Sequence, residues 1–221
     1  MNSISRLSPL LLPAAIAAAL LTLDISVAGA GDAIAPTNRI DLFNGKDLTG
    51  WKPFLPGDAD PAKTWSVRDG VIHCVGKPNG YLRTEQEYRD YKLTVEWRFL
   101  KPGNTGVLLH VSGPDQVWPI CIEAQGQHGN QGDFWVMGGA DFKEHRGLPT
   151  GRTARREPSN ENPVGEWNTY EIICRGDTIR LFVNGKLLNE ATECNATEGK
   201  ICLQSEGGEF EVRKVTLEPA S

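Results

Sequence analysis

Tyr91-Lys-Leu-Thr-Val-Glu-Trp-Arg-Phe99 alternates residue by residue: Tyr91, Leu93, Val95, Trp97 and Phe99 share one face, and Lys92, Thr94, Glu96 and Arg98 the other. A period of two marks a strand with one face in a core and one outside it. The same reading extends in both directions. Upstream, residues 65–67 and 71–75 flank Arg68-Asp69-Gly70, a hairpin signal. Downstream, the Pro102-Gly103-Asn104 turn leads into residues 107–111, and Arg175-Gly176-Asp177 joins residues 169–174 to 178–183. Asn184-Gly185 predicts a type I′ turn into Leu187-Leu188, because both central positions need positive φ. Residues 200–205 and 209–217 close the chain around Gly207-Gly208. No window of helical period reaches a dozen residues after residue 30. Short, regular strands without helices predict an all-β fold, a single antiparallel sandwich of two sheets. Residues 141–163 break the pattern, with few large apolar side chains and many Arg, Glu, Pro and Gly. A loop of that length is expected to be functional or mobile, as the rim of a cleft or as an insertion.

Residues 1–30 read as a secretory signal rather than as part of the fold. Arg6 gives a basic start, residues 10–23 form an uncharged run rich in Leu and Ala, and Ala28-Gly29-Ala30 fits a small-x-small cleavage site. The apolar run is 14 residues long, short of the roughly 20 that a membrane span needs. Cleavage there would leave residues 31–221 as one exported domain, periplasmic or extracellular, with no later membrane span. The net charge is −5, and without a basic cluster nucleic acid is not an expected partner. Arg152, Arg155 and Arg156 make the one basic patch, in a Pro/Gly-rich loop. Five cysteines, Cys74, Cys121, Cys174, Cys194 and Cys202, follow the signal and fit no zinc spacing. An odd count leaves at least one thiol unpaired, and Cys194 with Cys174 or Cys202 is the most local pairing. Asn195-Ala196-Thr197 is a glycosylation sequon by pattern.

Strand parity also nominates a site. In Ile120-Cys-Ile-Glu-Ala-Gln125, the side chains of Ile120, Ile122 and Ala124 point to a core, and Cys121, Glu123 and Gln125 point away from it. Gly132-Asp-Phe-Trp135 then sets Asp133 beside two aromatic rings, with Trp118 just upstream. By the same parity Glu96 and Arg98 face out, as do Leu108 and His110 if Val107, Leu109 and Val111 pack inside. Gln204 and Glu206 do so on a late strand. Any one pair is what an ordinary solvated sheet face would show. Together, on neighbouring strands, they would form one polar groove. Carboxylate, amide and aromatic groups suit a sugar: acceptors for hydroxyls, and a flat apolar surface for the C–H face. An oligosaccharide or glycoside is the expected partner. Glu123, Gln125, Asp133 and His110 are also ligand types for Ca²⁺, Mn²⁺ or Zn²⁺, although no spacing motif marks a metal site.

Asp41-Leu-Phe-Asn-Gly-Lys-Asp-Leu-Thr-Gly-Trp51, Gly80-Tyr-Leu-Arg-Thr84, Val95-Glu-Trp-Arg-Phe99, Asn104-Thr-Gly-Val-Leu-Leu109, Ile122-Glu-Ala-Gln125, Gly132-Asp-Phe-Trp135, Trp167-Asn-Thr-Tyr170 and Gln204-Ser-Glu-Gly207 occur in this order. The set resembles the 3-keto-disaccharide hydrolase domain family from about Arg39 to Leu217. The resemblance implies a concanavalin A-like jelly roll of two curved antiparallel sheets with ligands on the concave face. It also implies activity on oxidised glycosides. A 3-keto group acidifies the hydrogen on C2. A base can then remove that proton, the group on C1 leaves, and water adds back, which amounts to hydrolysis. The chemistry asks for a base, an enolate-stabilising partner and a proton donor for the leaving oxygen. Glu123 or His110 is expected as the base, Arg98 or a bound metal at the enolate, and Asp133 or Glu206 as the acid. Gln125, Gln204, Glu96, Trp135 and Trp118 are expected to position the sugar. A lectin-like binding module and a conventional two-carboxylate glycosidase are the alternatives.

Overall fold

The computed structural model describes Met1 and residues 32–220, so the expected signal segment lies outside the described residues. In chain order the strands are β1 (Ile40–Asp41), β2 (Trp51–Phe54), β3 (Trp65–Arg68), β4 (Val71–Cys74), β5 (Gly80–Thr84), β6 (Tyr91–Phe99), β7 (Gly106–Ser112) and β8 (Ile120–Gln125). They continue as β9 (Phe134–Met137), β10 (Arg152–Thr153), β11 (Asn168–Arg175), β12 (Thr178–Val183), β13 (Lys186–Ala191), β14 (Lys200–Ser205) and β15 (Phe210–Pro219). One helical turn, α1 (Pro61–Thr64), is capped by Asp60, whose side chain accepts from the Ala62 amide. Among the described residues no helix is long and apolar enough to cross a membrane.

Two antiparallel sheets result. The first runs β13-β12-β11-β6-β15-β4-β3, with β1 on β15, and the second runs β10-β9-β8-β7-β14-β5-β2. The all-β sandwich read from the alternation is the observed fold. Hairpin chemistry accounts for several strand pairings. Asp69 (φ 50°) with Gly70 (φ 77°) and Asn184 (φ 47°) with Gly185 (φ 78°) both supply the two left-handed positions of a type I′ turn. They close β3 on β4 at Arg68↔Val71 and β12 on β13 at Val183↔Lys186.

The core between the sheets takes the inward face of each strand. Leu93, Val95, Trp97 and Phe99 of β6 meet Val107 and Leu109 of β7, Ile122 and Ala124 of β8, and Leu203 of β14 in one buried cluster. Trp97 stands edge-on to Phe99 and Tyr170 at centroid distances of 5.0 and 5.5 Å, an arrangement that aromatic quadrupoles favour. Residues 141–163 prove to be anchored. Phe142 is fully buried and stands edge-on to Phe134 at 5.7 Å. Glu144 accepts from the amide and hydroxyl of Thr192, and β10 pairs with β9 at Arg152↔Trp135. All five cysteines are buried and unpaired, and Cys194 is bonded to neither Cys174 nor Cys202.

Candidate active site

The outer face of the second sheet carries a cleft of about 450 Å³, a size suited to a small-molecule ligand. Strands β8 and β14 build its floor by plain alternation. With Ile122 and Ala124 in the core, Glu123 and Gln125 turn outward, and with Leu203 in the core, Gln204 does the same. Gly106 lies between them, paired with Gln125 on one side, while its neighbour Val107 pairs with Leu203 on the other. A side chain at Gly106 would collide with the Glu123 carboxylate, so the glycine creates the space into which that carboxylate leans. Glu123, Gln125 and Glu206 line the cleft together with Trp118 and Trp135. Asn104, Gln127, Val136, Met137 and Gly151 complete the lining.

Hydrogen bonds hold this floor from behind. Tyr170 donates from its hydroxyl to the Gln125 carbonyl oxygen at 2.7 Å, and Thr105 donates to the Gln204 carbonyl at 2.6 Å. Gln125 Oε1 accepts from the Gln127 amide at 2.8 Å, which leaves its Nε2 as the end available to a ligand. Asn104 Nδ2 donates to Glu206 Oε2 at 2.8 Å and fixes that carboxyl at the mouth. Several polar atoms have no partner despite being buried: Glu123 Oε1, both head atoms of Gln204, and Asn104 Oδ1. A buried unpaired polar atom is costly, so the unpaired atoms of Glu123 and Asn104, which line the cleft, mark where a ligand's own polar groups would fit, with the Gln204 amide on the adjoining β14.

The two carboxyls sit in unlike environments. Glu123 is only 3% exposed, and burial, reinforced by the charge of Glu206, pushes its carboxyl well above the ordinary glutamate range. Burial also raises Glu206, which is only partly covered. The pair is therefore arranged to hold one proton on the inner carboxyl while the outer one ionises.

Four expected residues lie elsewhere. His110 is core-facing because a β-bulge interrupts β7: pairing with β8 shifts register between Leu109 and Ser112, and His110 takes φ 56°. The extra residue inverts the alternation, so Val111 joins the outer cluster with Leu108, Cys121 and Cys202. His110 donates from Nδ1 to the Ala196 carbonyl at 2.9 Å and stands edge-on to Tyr91. Burial lowers its pKa to about 4, so it is a neutral structural imidazole.

Glu96 and Arg98 do face outward, but from β6 in the other sheet. Glu96 binds Arg213 at 2.6 Å and Lys214 at 3.2 Å. Arg98 binds Glu211 at 2.8 Å and stacks on Trp167 at 4.5 Å. Asp133 is fully buried, yet its oxygens meet Arg152 at 2.6 Å and the Arg155 side chain at 3.3 Å, and the Arg155 amide at 2.9 Å. It anchors residues 152–155 rather than opening on the cleft. The expected metal set is accordingly dispersed, and no group of three or more His, Cys, Asp or Glu among the described residues is placed to hold an ion.

Sequence reasoning passed over Asn104, Gln127, Met137 and Gly151. Met137 was accessible by extending the parity of Trp135 by two residues. The others lie in turns, where no periodicity applies.

Among solved structures, a Parabacteroides distasonis protein named as a glycosyl hydrolase superposes with a TM-score of 0.62 at 24% identity, covering 83% of this chain and 94% of its own. A Bacillus licheniformis β-glucanase gives 0.59 at 14% identity, over 84% and 99% of the two chains. A Bacillus subtilis carbohydrate-binding module gives 0.57 at 12%, over 76% and 95%. These likenesses show the jelly-roll fold. A 3-keto-disaccharide hydrolase of Bacteroides thetaiotaomicron is 25% identical over 63% of this chain and 53% of its own, so the chain spans about half the length of that relative. Residues 38–218, nearly all of the described sandwich, match the 3-keto-alpha-glucoside-1,2-lyase-like domain, and the chain belongs to that family.

Proposed function

We propose that the cleft cleaves 3-keto glycosides by elimination followed by hydration. The observation that carries this reading is the pair of unlike carboxyls, Glu123 buried and unpaired at Oε1, Glu206 nearer solvent, beside a Gln204 amide with both head atoms free. The outer carboxylate, Glu206, removes the C2 proton, with Asn104 holding it in place. Gln204 Nε2 donates to the ketone oxygen as it takes on enolate charge, and Gln204 Oε1 accepts from a neighbouring hydroxyl. The C1–O bond then breaks, and Glu123 gives its proton to the departing oxygen. The products are a free alcohol and a 1,2-unsaturated 3-keto sugar. Water adding across that double bond restores the sugar and returns a proton, giving net hydrolysis. The amides of Gln204 and Gln125 take the part that the sequence assigned to Arg98, and Glu123 changes from base to acid because burial favours its neutral form. The family and the named relative support the substrate class.

The test is incubation with a 3-keto disaccharide beside its unoxidised parent. The keto substrate should be cleaved and the parent left intact, and equal rates on both would replace the elimination by a conventional glycosidase. The pH profile of kcat/KM should be a bell. Activity rises as Glu206 ionises, at a pH above the usual glutamate value of 4.5, and falls at higher pH as Glu123 loses its proton. A profile flat from pH 4 to 9 would remove both carboxyls from the chemistry.

We also propose that the protein acts after export, supported by the basic start, apolar run and Ala28-Gly29-Ala30 site. Intact-mass analysis of the protein from its native host should find residues 1–30 removed, and their retention would overturn the proposal.

A further inference from the structure

The cleft has two chemically different ends, and the sheet register separates them. At one end, Gln125, Gly106 and Gln204 lie in a row across β8, β7 and β14, with Asn104 and Glu206 just beyond the strand ends. At the other end, β9 supplies Trp135, Val136 and Met137, and Trp118 stands immediately before β8. Glu123 lies between them: Trp135 is its cross-strand partner on β9, and its carboxylate leans over Gly106 toward the amides. Trp118 is 46% exposed, one of few large apolar side chains among the described residues left so open. A large exposed aromatic lining a cleft is characteristic of a surface awaiting a partner.

We infer that the Trp118–Trp135–Met137 end is a leaving-group subsite that takes an aromatic or otherwise apolar aglycone in preference to a second sugar. The inference rests on the reaction proposed above. There, the keto sugar must lie on the amide side, where Gln204, Gln125 and Asn104 can meet its ketone and hydroxyls. The bond to be cut then lies at Glu123, and whatever leaves must lie toward β9. A sugar in that position would bring hydroxyls around its whole rim, whereas the three side chains facing it are two indoles and a thioether, Val136 turning its side chain into the core. Stacking of a flat ring on an indole, with a polarisable thioether beside it, is the interaction this end supplies. Hydroxyls left there without partners would count against a sugar.

The experiment compares benzyl and methyl 3-keto-glucosides of one anomeric configuration, whose leaving alcohols are of nearly equal acidity. The intact protein should favour the benzyl substrate in kcat/KM by about tenfold or more, the scale of burying one aromatic face. In Trp118→Ala that preference should fall to within about threefold, with Trp118→Phe between the two. A wild-type ratio near one, or a ratio that Trp118→Ala leaves intact, overturns the subsite. If neither keto glucoside is cleaved, the proposed reaction fails on its own. The subsite is then judged by tryptophan fluorescence titration with unoxidised benzyl and methyl glucosides. Tighter benzyl binding supports it, and equal binding overturns it.

Discussion

Glu123→Gln lowers kcat by about 10²–10⁴-fold, the usual contribution of a positioned acid, while leaving the fold intact. Glutamine reproduces the shape of the neutral carboxyl that burial favours, but it has no proton to give the leaving oxygen. The substitution also changes how stability depends on pH. The folded-state pKa of Glu123 is raised well above its unfolded value, because burial and Glu206 both oppose the charge. Between those two values the folded protein binds more protons than the unfolded chain, so stability falls as pH rises through that window. Glutamine cannot ionise, and that loss disappears. Thermal melts should therefore coincide at pH 4 and diverge by pH 8, with the variant the more stable. A variant that retains kcat within threefold of the parent, or that melts earlier at pH 8, would show that Glu123 is neither the acid nor a buried neutral carboxyl.

Asp133→Ala is expected to act on stability instead. It removes a fully buried carboxylate held by Arg152, Arg155 and the Arg155 amide. Breaking such a pair from one side strands the remaining charges. The arginine side chains are 41% and 21% exposed and can turn to water, so the loss belongs at about 2–3 kcal/mol. For a chain of this size that lowers Tm by roughly 4–12 °C. The fall in kcat measured well below Tm should be smaller than that of Glu123→Gln by at least about tenfold. Were Asp133 the proton donor, the two rates would fall alike and the melting point would hardly move.

The contrast between these two acids shows what alternation can reveal. β8 and β14 run without interruption through Glu123 and Gln204, so parity alone put Glu123, Gln125 and Gln204 on the outer face. Parity also turned Glu96 and Arg98 outward, correctly, but it carries no information about which sheet a strand joins. β6 sits between β11 and β15 in the opposite sheet, so those side chains are spent on Arg213, Lys214, Glu211 and Trp167. Asp133 read as a free carboxylate because its partners lie 19 and 22 residues downstream in a stretch without periodicity. The anchoring of that stretch was hidden for the same reason. One Phe142 in a polar segment gives no pattern, yet it reaches the core.

The bulge in β7 has a practical consequence for anyone redesigning the cleft. The strand behaves as two half-strands of opposite phase, joined at a left-handed His110. Before the junction, even-numbered positions such as Leu108 look toward the ligand side. After it, odd-numbered Val111 does. A mutagenesis library that diversified every second residue of β7 in one unbroken series would tune the binding surface in its first half and hollow out the interior in its second. Shifting the series by one position at residue 110 keeps every varied codon on the outer face of the sheet.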